Sequence, residues 1–199
     1  MKEKLVRWKF YFDKDKEEQW LNEMAAKGWS MKSFFAGRYT FEQTQPGEYL
    51  YQVELLPRNV KEKAEYLHFL EHEMGVELVQ EWGFWIFLRK KASEGAFELY
   101  TDATSKAEHY RKISHLFFAV AGLEFLVGLS EMLVWTTQEK SEFLILAVIL
   151  YALGLVFLRQ GIHFQKKQKE MEKPPHISSG YDDALTFVSN SAIISILFV

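Results

Sequence analysis

Two long apolar runs dominate the second half of the chain. They extend from Leu116 to Trp135 and from Phe143 to Leu158, and the polar link Gln138 to Glu142 joins them. A membrane span needs about 20 apolar helical residues, so each run predicts one span, the second completed by residues 159–162 at the membrane surface. The pattern therefore predicts a two-helix transmembrane hairpin over residues 114–163.

Two glutamates, Glu124 and Glu131, interrupt the first run. A central acid opposes insertion by about 3 kcal/mol, whereas the Leu, Phe and Val residues of the run contribute on the order of −3 to −7 kcal/mol. The sum of these free energies favours insertion of the first run into the membrane. Since membrane acids usually face the bundle interior, we predict an interface between the helices formed by Glu124, Gly128, Glu131, Tyr151 and Gly154, with Glu124 hydrogen-bonded to Tyr151 or facing a second copy.

The first half of the chain shows the order strand, helix, strand, strand twice. Period-two alternation indicates strands, and apolar spacing of three to four residues indicates helices that end at Gly28 and Gly75. Gly37 and Gly83 take matching places in two hairpin turns. The predicted elements are strands 5–12, 30–35, 38–43, 49–55, 76–81 and 84–90, a helix capped by Asp13, and a helix opened by Pro57 to Val60 with the apolar stripe Val60, Ala64, Leu67, Leu70 and Met74.

The predicted fold class is thus α+β, a tandem strand-helix-strand-strand cytoplasmic domain followed by an α-helical transmembrane hairpin. Residues 1–91 form the domain, and residues 92–113 form a linker and a juxtamembrane helix capped by Thr104 or Ser105. Residues 164–199 form a basic tail with an apolar C-terminal segment. For that segment, 184–199, three interpretations stay open: it lies on the membrane surface, forms a short third span, or is a truncated or frame-altered end.

Charge predicts where the parts lie. Basic residues flank the hairpin on the domain side, while the link between the spans carries Lys140 and two acids, so both ends are expected in the cytoplasm. No apolar signal region precedes the domain. A net charge of −3 and a pI near 6.1 argue against direct contact with nucleic acid. Because the chain has no cysteine, a disulfide framework, a thiolate zinc site and a cysteine nucleophile are excluded.

The residues from Asp13 to Trp29, with the run Trp20-Leu21 to Gly28-Trp29, resemble the bacterial "domain of unknown function 2812" family. Tyr39 to Glu42 and Pro46 to Tyr51 extend the resemblance over roughly the first half of the chain. The resemblance implies membrane helices after the domain and a genetic setting beside PadR-type transcription regulators, and it implies no known chemistry. The doubled unit is also similar in outline to GyrI-like effector-binding domains, which hold hydrophobic ligands between two halves.

One short motif matches a metal site. His68-Phe69-Leu70-Glu71-His72 has the spacing of the inverted zinc peptidases, in which two histidines one turn apart bind the metal. Helical phase places both histidines away from the predicted buried stripe, so we interpret the motif as a solvated face. We predict no catalytic site, no metal site and no cofactor, and hence no enzyme.

Aromatic residues suggest a ligand cavity in the domain, although such residues more often build the core. We predict a ligand site formed by Tyr39, Phe41, Tyr51 and Trp85, with Glu54 or Glu48 as the counter-charge for a cation. The predicted function is a membrane-anchored regulatory or sensing module that binds a protein or a small hydrophobic ligand. The alternative is an accessory subunit of a transporter or a self-assembling membrane protein. The expected partners are the lipid bilayer and a protein partner or further copies of the chain.

Overall fold

The computed structural model of the chain describes residues 3–57 and 59–173. An α+β part comes first, and two long antiparallel helices follow, as the sequence predicts. The predicted C-terminal segment 184–199 lies outside the described residues. The elements are β1 Lys4–Trp8, α1 Lys14–Ala26, β2 Trp29–Phe35, β3 Arg38–Gln43, β4 Tyr49–Leu55, α2 Val60–His72, β5 Glu77–Trp82, β6 Trp85–Lys91, the 3₁₀ turn Ala92–Glu94, α3 Ala103–Gln138 and α4 Ser141–Glu172.

The tandem repeat is confirmed by the topology of two antiparallel three-stranded sheets. The first sheet has the order β1-β3-β2 and the second has the equivalent order β4-β6-β5. In each repeat the helix therefore connects two outer strands that the last strand separates, which is a split βαβ arrangement. Each sheet also has a register shift, between Met31 and Ser33 in β2 and between Leu78 and Gln80 in β5. The two halves thus share even their local irregularity.

Local sequence signals set the ends of the first repeat. The side chain of Asp13 accepts a hydrogen bond from the Asp15 N–H at 3.1 Å, which caps α1, and Gly28 follows the helix with φ +81°. Ala36 and Gly37 both have positive φ, at 45° and 85°. A two-residue turn with positive φ at both positions matches the twist of a hairpin, so β2 and β3 pair as predicted.

The two repeats share one core. Helix α1 packs on β4 of the second repeat, where the Asn22 amide exchanges hydrogen bonds with the backbone of Tyr51 at 2.8 and 2.9 Å. Gln80 on β5 does the same for Phe34 on β2, at 2.6 and 2.7 Å. The shared core consists of Trp20, Leu21, Met24, Ala25, Met31, Tyr39, Phe41, Tyr51, Val53 and Phe87.

Three boundaries differ from the predictions. Strand β1 ends at Trp8, which pairs with the first residue of β3, and the chain to Phe12 leaves the sheet. Helix α2 ends at His72, two residues before the predicted Met74. Of the predicted buried stripe, Val60 and Ala64 are exposed and Leu70 is buried, because the first turns of the helix extend beyond the cluster around Ile86 and Leu88. The cap of α3 is Asp102, which accepts a hydrogen bond from Ser105 N–H at 2.8 Å, in place of Thr104 or Ser105.

Helices α3 and α4 are long and apolar enough to cross a membrane. They contain 36 and 32 residues, and their most apolar segments have mean hydropathies of 1.8 and 2.4. At 1.5 Å per residue each is about 50 Å long, which exceeds a bilayer core of about 30 Å. The link between them is shorter than predicted, because Gln138, Ser141 and Glu142 are helical. Each helix therefore has a part that continues past the apolar segment, and the α+β domain packs there.

Candidate functional site

The domain docks on the first turns of α3 and the last turns of α4. Tyr110, Ile113 and Phe117 of α3 form an apolar cluster with Phe164 of α4, and Leu55 and Trp85 of the domain pack against it. In addition, the ring of Phe12 meets the ring of Phe157 edge-on at 5.9 Å. We call this contact region the domain–hairpin junction.

Charged side chains at the start of α1 hold one side of the junction. Asp13 accepts hydrogen bonds from His163 Nε2 at 3.0 Å and from Lys167 Nζ at 3.3 Å, and Asp15 accepts from Lys167 and from the Tyr110 hydroxyl. Burial favours a higher pKa for Asp15, but the positive charges of Lys14 and Lys167 outweigh it and lower the pKa to about 2. Asp15 is thus ionised at neutral pH. We call Asp13, Asp15, His163 and Lys167 the α1 latch.

A buried acid and histidine hold the other side. Glu54 on β4 and His109 on α3 have side chains only 4% exposed, and Glu54 Oε1 lies 2.8 Å from His109 Nδ1. An ionised carboxylate only accepts hydrogen bonds, so Nδ1–H donates to Glu54. The Tyr100 hydroxyl lies 3.0 Å from the same nitrogen, and its pKa is raised by burial and by the charge of Glu54. His109 Nε2 is buried and has no hydrogen-bond partner among the described residues.

Three cavities among the described residues lie at the junction. One, of about 730 Å³, we call the Glu54 cavity, and a second, of about 460 Å³, lies between α1, β4 and the start of α3. The walls of the Glu54 cavity combine the Glu54–His109 pair with apolar residues of the domain and of α3, and Glu62, Lys112 and His115 also line it. It is lined by Glu54, Leu55, Leu56, Pro57, Glu62, Tyr66, Phe84, Tyr100, His109, Lys112, His115, Leu116 and Ala119.

The third cavity, of about 320 Å³, we call the aromatic cavity. Ten of its lining residues are aromatic, and they come from the first loop, from both sheets and from both long helices. Glu17 of α1 also lines it, and the Tyr39 hydroxyl donates a hydrogen bond to the Glu17 carboxylate. Burial raises the pKa of Glu17 to about 7, although the hydrogen bond from Tyr39 acts in the opposite direction.

The structure does not bring the five predicted ligand residues into one site. Tyr39 and Trp85 line the aromatic cavity, Glu54 lines the Glu54 cavity, and Phe41 and Tyr51 line neither. Instead Tyr51 bonds within the core, to the Ser30 hydroxyl at 2.8 Å and the Met31 N–H at 2.9 Å. The alternation of side chains along a strand explains the separation. Tyr51 and Glu54 are three residues apart, so they point to opposite faces of β4. Glu48 lines neither cavity either.

Glu17 is the residue that sequence reasoning missed. The apolar spacing that predicts α1 assigned Glu17 no role. However, Glu17 lies three and four residues before Trp20 and Leu21, both of which are buried. Residues at these spacings share a helix face, so the helical period of α1 places the Glu17 carboxylate on the same side as the buried residues. That signal was available from the sequence.

The predicted interface residues of the hairpin are partly brought together. Gly128 and Gly154 are buried between the helices, where added Cβ atoms would lie 3.5 Å from Tyr151 and 2.7 Å from Phe125. Glu124 and Glu131 are half-buried on the flank of α3. Within residues 3–57 and 59–173, Glu124 forms no hydrogen bond with Tyr151, whose ring packs on Phe125 instead, at 5.9 Å. The contact of Glu124 with a second copy stays a prediction.

The histidine motif of α2 lies on the surface. His68 and His72 are exposed and their rings stack at 4.1 Å, while Leu70 between them is buried. The described part of the chain contains no group of three or more histidine, aspartate or glutamate side chains that could hold a metal ion. The structure therefore places the motif on the solvated face that helical phase predicts.

One family matches the chain, over residues 13–122, and its description is "protein of unknown function (DUF2812)". The chain belongs to this family. The matched region begins at the cap of α1 and continues to Gly122 on α3, so it includes Glu17, Glu54 and His109. The family unit thus extends past the α+β domain into the junction. Comparisons with curated proteins and with solved structures give no match, and the similarity in outline to GyrI-like domains stays a prediction.

Proposed function

We propose that this protein is a membrane-anchored sensing module. Its α+β domain lies in the cytoplasm, and helices α3 and α4 cross the membrane. Binding of a small hydrophobic ligand or a protein at the domain–hairpin junction changes how the domain docks, and a partner protein detects the change. The observation that carries this proposal is that the Glu54 cavity and the aromatic cavity each have walls from the domain and from the long helices. A ligand in either cavity therefore contacts both parts at once.

The exposed surface of the long helices supports the membrane anchor. Leu126 is 68% exposed, Leu133 is 60% exposed and Leu155 is 59% exposed, on two helices that pack against each other. A soluble protein rarely exposes a continuous apolar surface of this size, whereas lipid tails would cover it. The positive-inside rule supports the orientation, because the domain-side flanks carry Lys106, Arg111, Lys112, Arg159, Lys166, Lys167 and Lys169.

The two polar contacts of the junction support the change in docking. The α1 latch and the Glu54–His109 pair join elements that are distant in sequence, at α1 with α4 and at β4 with α3. Charged contacts of this kind contribute little stabilising free energy once one partner moves away. A ligand that shifts the domain slightly would therefore favour one of two docking states. The family resemblance suggests a PadR-type regulator as the partner that detects them.

Copurification of partners tests the proposal. The tagged full chain is purified from its native membranes, beside Lys167→Glu, which reverses a latch charge, and Lys169→Glu, a matched change at an exposed neighbour. If the protein is a sensing module, its main partner is expected to be a soluble protein. The amount of that partner recovered with Lys167→Glu is expected to differ at least threefold from the amount recovered with the unmodified chain, and the amount recovered with Lys169→Glu is expected to be the same. A polytopic permease as the main partner, or equal recovery with both variants, would contradict it.

One observation favours assembly as the second candidate function. Glu124 is half-buried on the flank of α3 and, within the described residues, has no hydrogen bond or ion pair. An acid at this depth of a membrane is costly unless it meets a partner, which a transporter or a second copy would supply. Recovery of a permease that depends on Glu124 would support this alternative.

A further inference from the structure

The aromatic cavity combines ring faces with one carboxylate. Ten aromatic side chains line about 320 Å³ of space, among them Tyr39, Trp82 and Trp85 of the domain and Phe117 and Phe157 of the long helices. Ring faces carry negative electrostatic potential and attract cations within about 6 Å. A cavity built mainly from rings is therefore suited to a cation with an apolar surface.

Glu17 gives the cavity a charge that the protein does not compensate. It is the one acidic residue that lines the cavity, and within residues 3–57 and 59–173 it has no ion pair. Two lysines also line the cavity, but neither forms an ion pair with Glu17 among the described residues. Lys14 pairs with Asp15 and Glu18, and the Lys9 ammonium donates a hydrogen bond to the Tyr11 hydroxyl at 3.1 Å. Burying a carboxylate without a cation is unfavourable, so a cationic ligand beside Glu17 would stabilise its ionised form.

We propose that the aromatic cavity binds a small quaternary ammonium ion beside the Glu17 carboxylate. A primary ammonium has three N–H donors, and the side-chain acceptors that line the cavity are Glu17 and the hydroxyls of Tyr11 and Tyr39, of which Tyr11 already accepts from Lys9. A quaternary ammonium has no donor to satisfy, and its methyl groups can contact several ring faces together. Recognition of this class by aromatic residues is a general property of proteins.

The inference rests on the proposed function, because it names the ligand class that the sensing module would detect. Phe117 of α3 and Phe157 of α4 form one wall of the cavity, and the residues of the domain form the others. An ion held between these walls contacts both parts of the junction. Its binding is therefore expected to favour the docked state.

Binding is expected to strengthen as the pH rises through 7. Burial raises the pKa of Glu17 to about 7, and the ionised form is the one that attracts a cation. The other titratable residues that line the cavity are Lys9, Tyr11, Lys14 and Tyr39, and the two rings from the long helices do not titrate. Burial and the charge of Glu17 raise the pKa of Tyr39 above its ordinary value, so its hydroxyl stays protonated between pH 6 and 8.

Choline and its neutral isostere, 3,3-dimethylbutan-1-ol, test the inference. The full chain is placed in nanodiscs of phosphatidylglycerol, which contain no choline headgroup, and tryptophan fluorescence is titrated with each compound. Trp82 and Trp85 line the cavity and report occupancy. Choline is expected to change the emission with saturation, at least tenfold more tightly than the isostere, and more tightly at pH 8 than at pH 6. Equal affinity of the two compounds, or no binding of choline, would overturn the inference.

Two variants locate the binding. Glu17→Gln keeps the shape of the side chain and is expected to weaken choline binding about tenfold, because it removes the charge. Glu23→Gln changes an exposed acid of the same helix and is expected to leave binding unchanged. Near-ultraviolet circular dichroism confirms that both variants fold. Unchanged affinity with Glu17→Gln would contradict a site at the aromatic cavity.

The partner assay separates this inference from the proposed function. If choline binds through Glu17 but does not change the recovery of the soluble partner, the ligand class stands and the sensing role fails. If choline does not bind while Lys167→Glu still changes recovery, the sensing role stands and the ligand class fails.

Discussion

Replacing His109 with leucine is expected to destabilise the junction strongly. The substitution removes the Nδ1–H donor and leaves the Glu54 carboxylate, which is 4% exposed, without this hydrogen bond. Loss of one member of a buried pair costs about 3 to 5 kcal/mol, because the remaining charge stays buried and unpaired. Two contacts of Glu54 persist, with Leu55 N–H and with Tyr100, so we expect about 3 kcal/mol.

Substitution of Glu54, alone and together with His109, completes a double-mutant cycle. Glu54→Leu leaves the buried His109 Nδ1–H without its acceptor, so its expected cost is about 1 to 3 kcal/mol. The double variant Glu54→Leu with His109→Leu replaces the pair with apolar groups and is expected to be more stable than His109→Leu alone. The control His68→Leu changes an exposed histidine of α2 and is expected to cost less than about 0.5 kcal/mol.

Thermal unfolding of the full chain in detergent, followed by near-ultraviolet circular dichroism, measures these effects. The free energies are compared among variants in the same detergent, since a protein with two structural parts need not unfold in one step. A double variant whose loss equals the sum of the single losses would show that Glu54 and His109 do not interact, and would refute the reasoning.

Two further predictions concern α1 and the hairpin. The pKa of Glu17 rises from 4.5 to about 7 on folding, so the folded state holds the proton more tightly and stability falls as the pH rises from 5 to 8, by on the order of 2 kcal/mol after allowance for partial exposure. Glu17→Gln should abolish this slope in denaturation measured at several pH values. Gly154→Val should lower the melting temperature of the hairpin, because its Cβ would lie 2.7 Å from Phe125, whereas Gly122→Val, with nothing within 4 Å, should not.

Much of the fold follows from local signals in the sequence. The positive-φ turns at Gly37 and Gly83, the Asp13 cap and the closing Gly28 each specify one boundary, so the order of elements in both repeats was predicted. The predicted boundaries were wrong where tertiary packing overrides the local preference for a strand or a helix. Residues 9–12 alternate like a strand, but Phe12 leaves the sheet to meet Phe157, a contact across the junction that no local pattern reveals.

The candidate site was predicted only in part, for two physical reasons. Composition indicated an aromatic cavity with an acid. However, side chains alternate between the two faces of β4, so Glu54 and Tyr51 point in opposite directions. The acid that lines the aromatic cavity is Glu17. The Glu54–His109 pair joins residues that are far apart in sequence, and only tertiary docking brings them to 2.8 Å. A single sequence carries no record of such contacts.

Cysteine labelling in intact cells tests the membrane anchor and its orientation most directly. The chain contains no cysteine, so single cysteines at Ser141, beside the link between α3 and α4, and at Ser93, after β6, give unambiguous signals. Both positions are exposed in the structure. The account predicts that Ser141→Cys reacts with an impermeant thiol reagent and that Ser93→Cys reacts only after the cells are opened. Labelling of Ser93→Cys in intact cells, with Ser141→Cys protected, would contradict it.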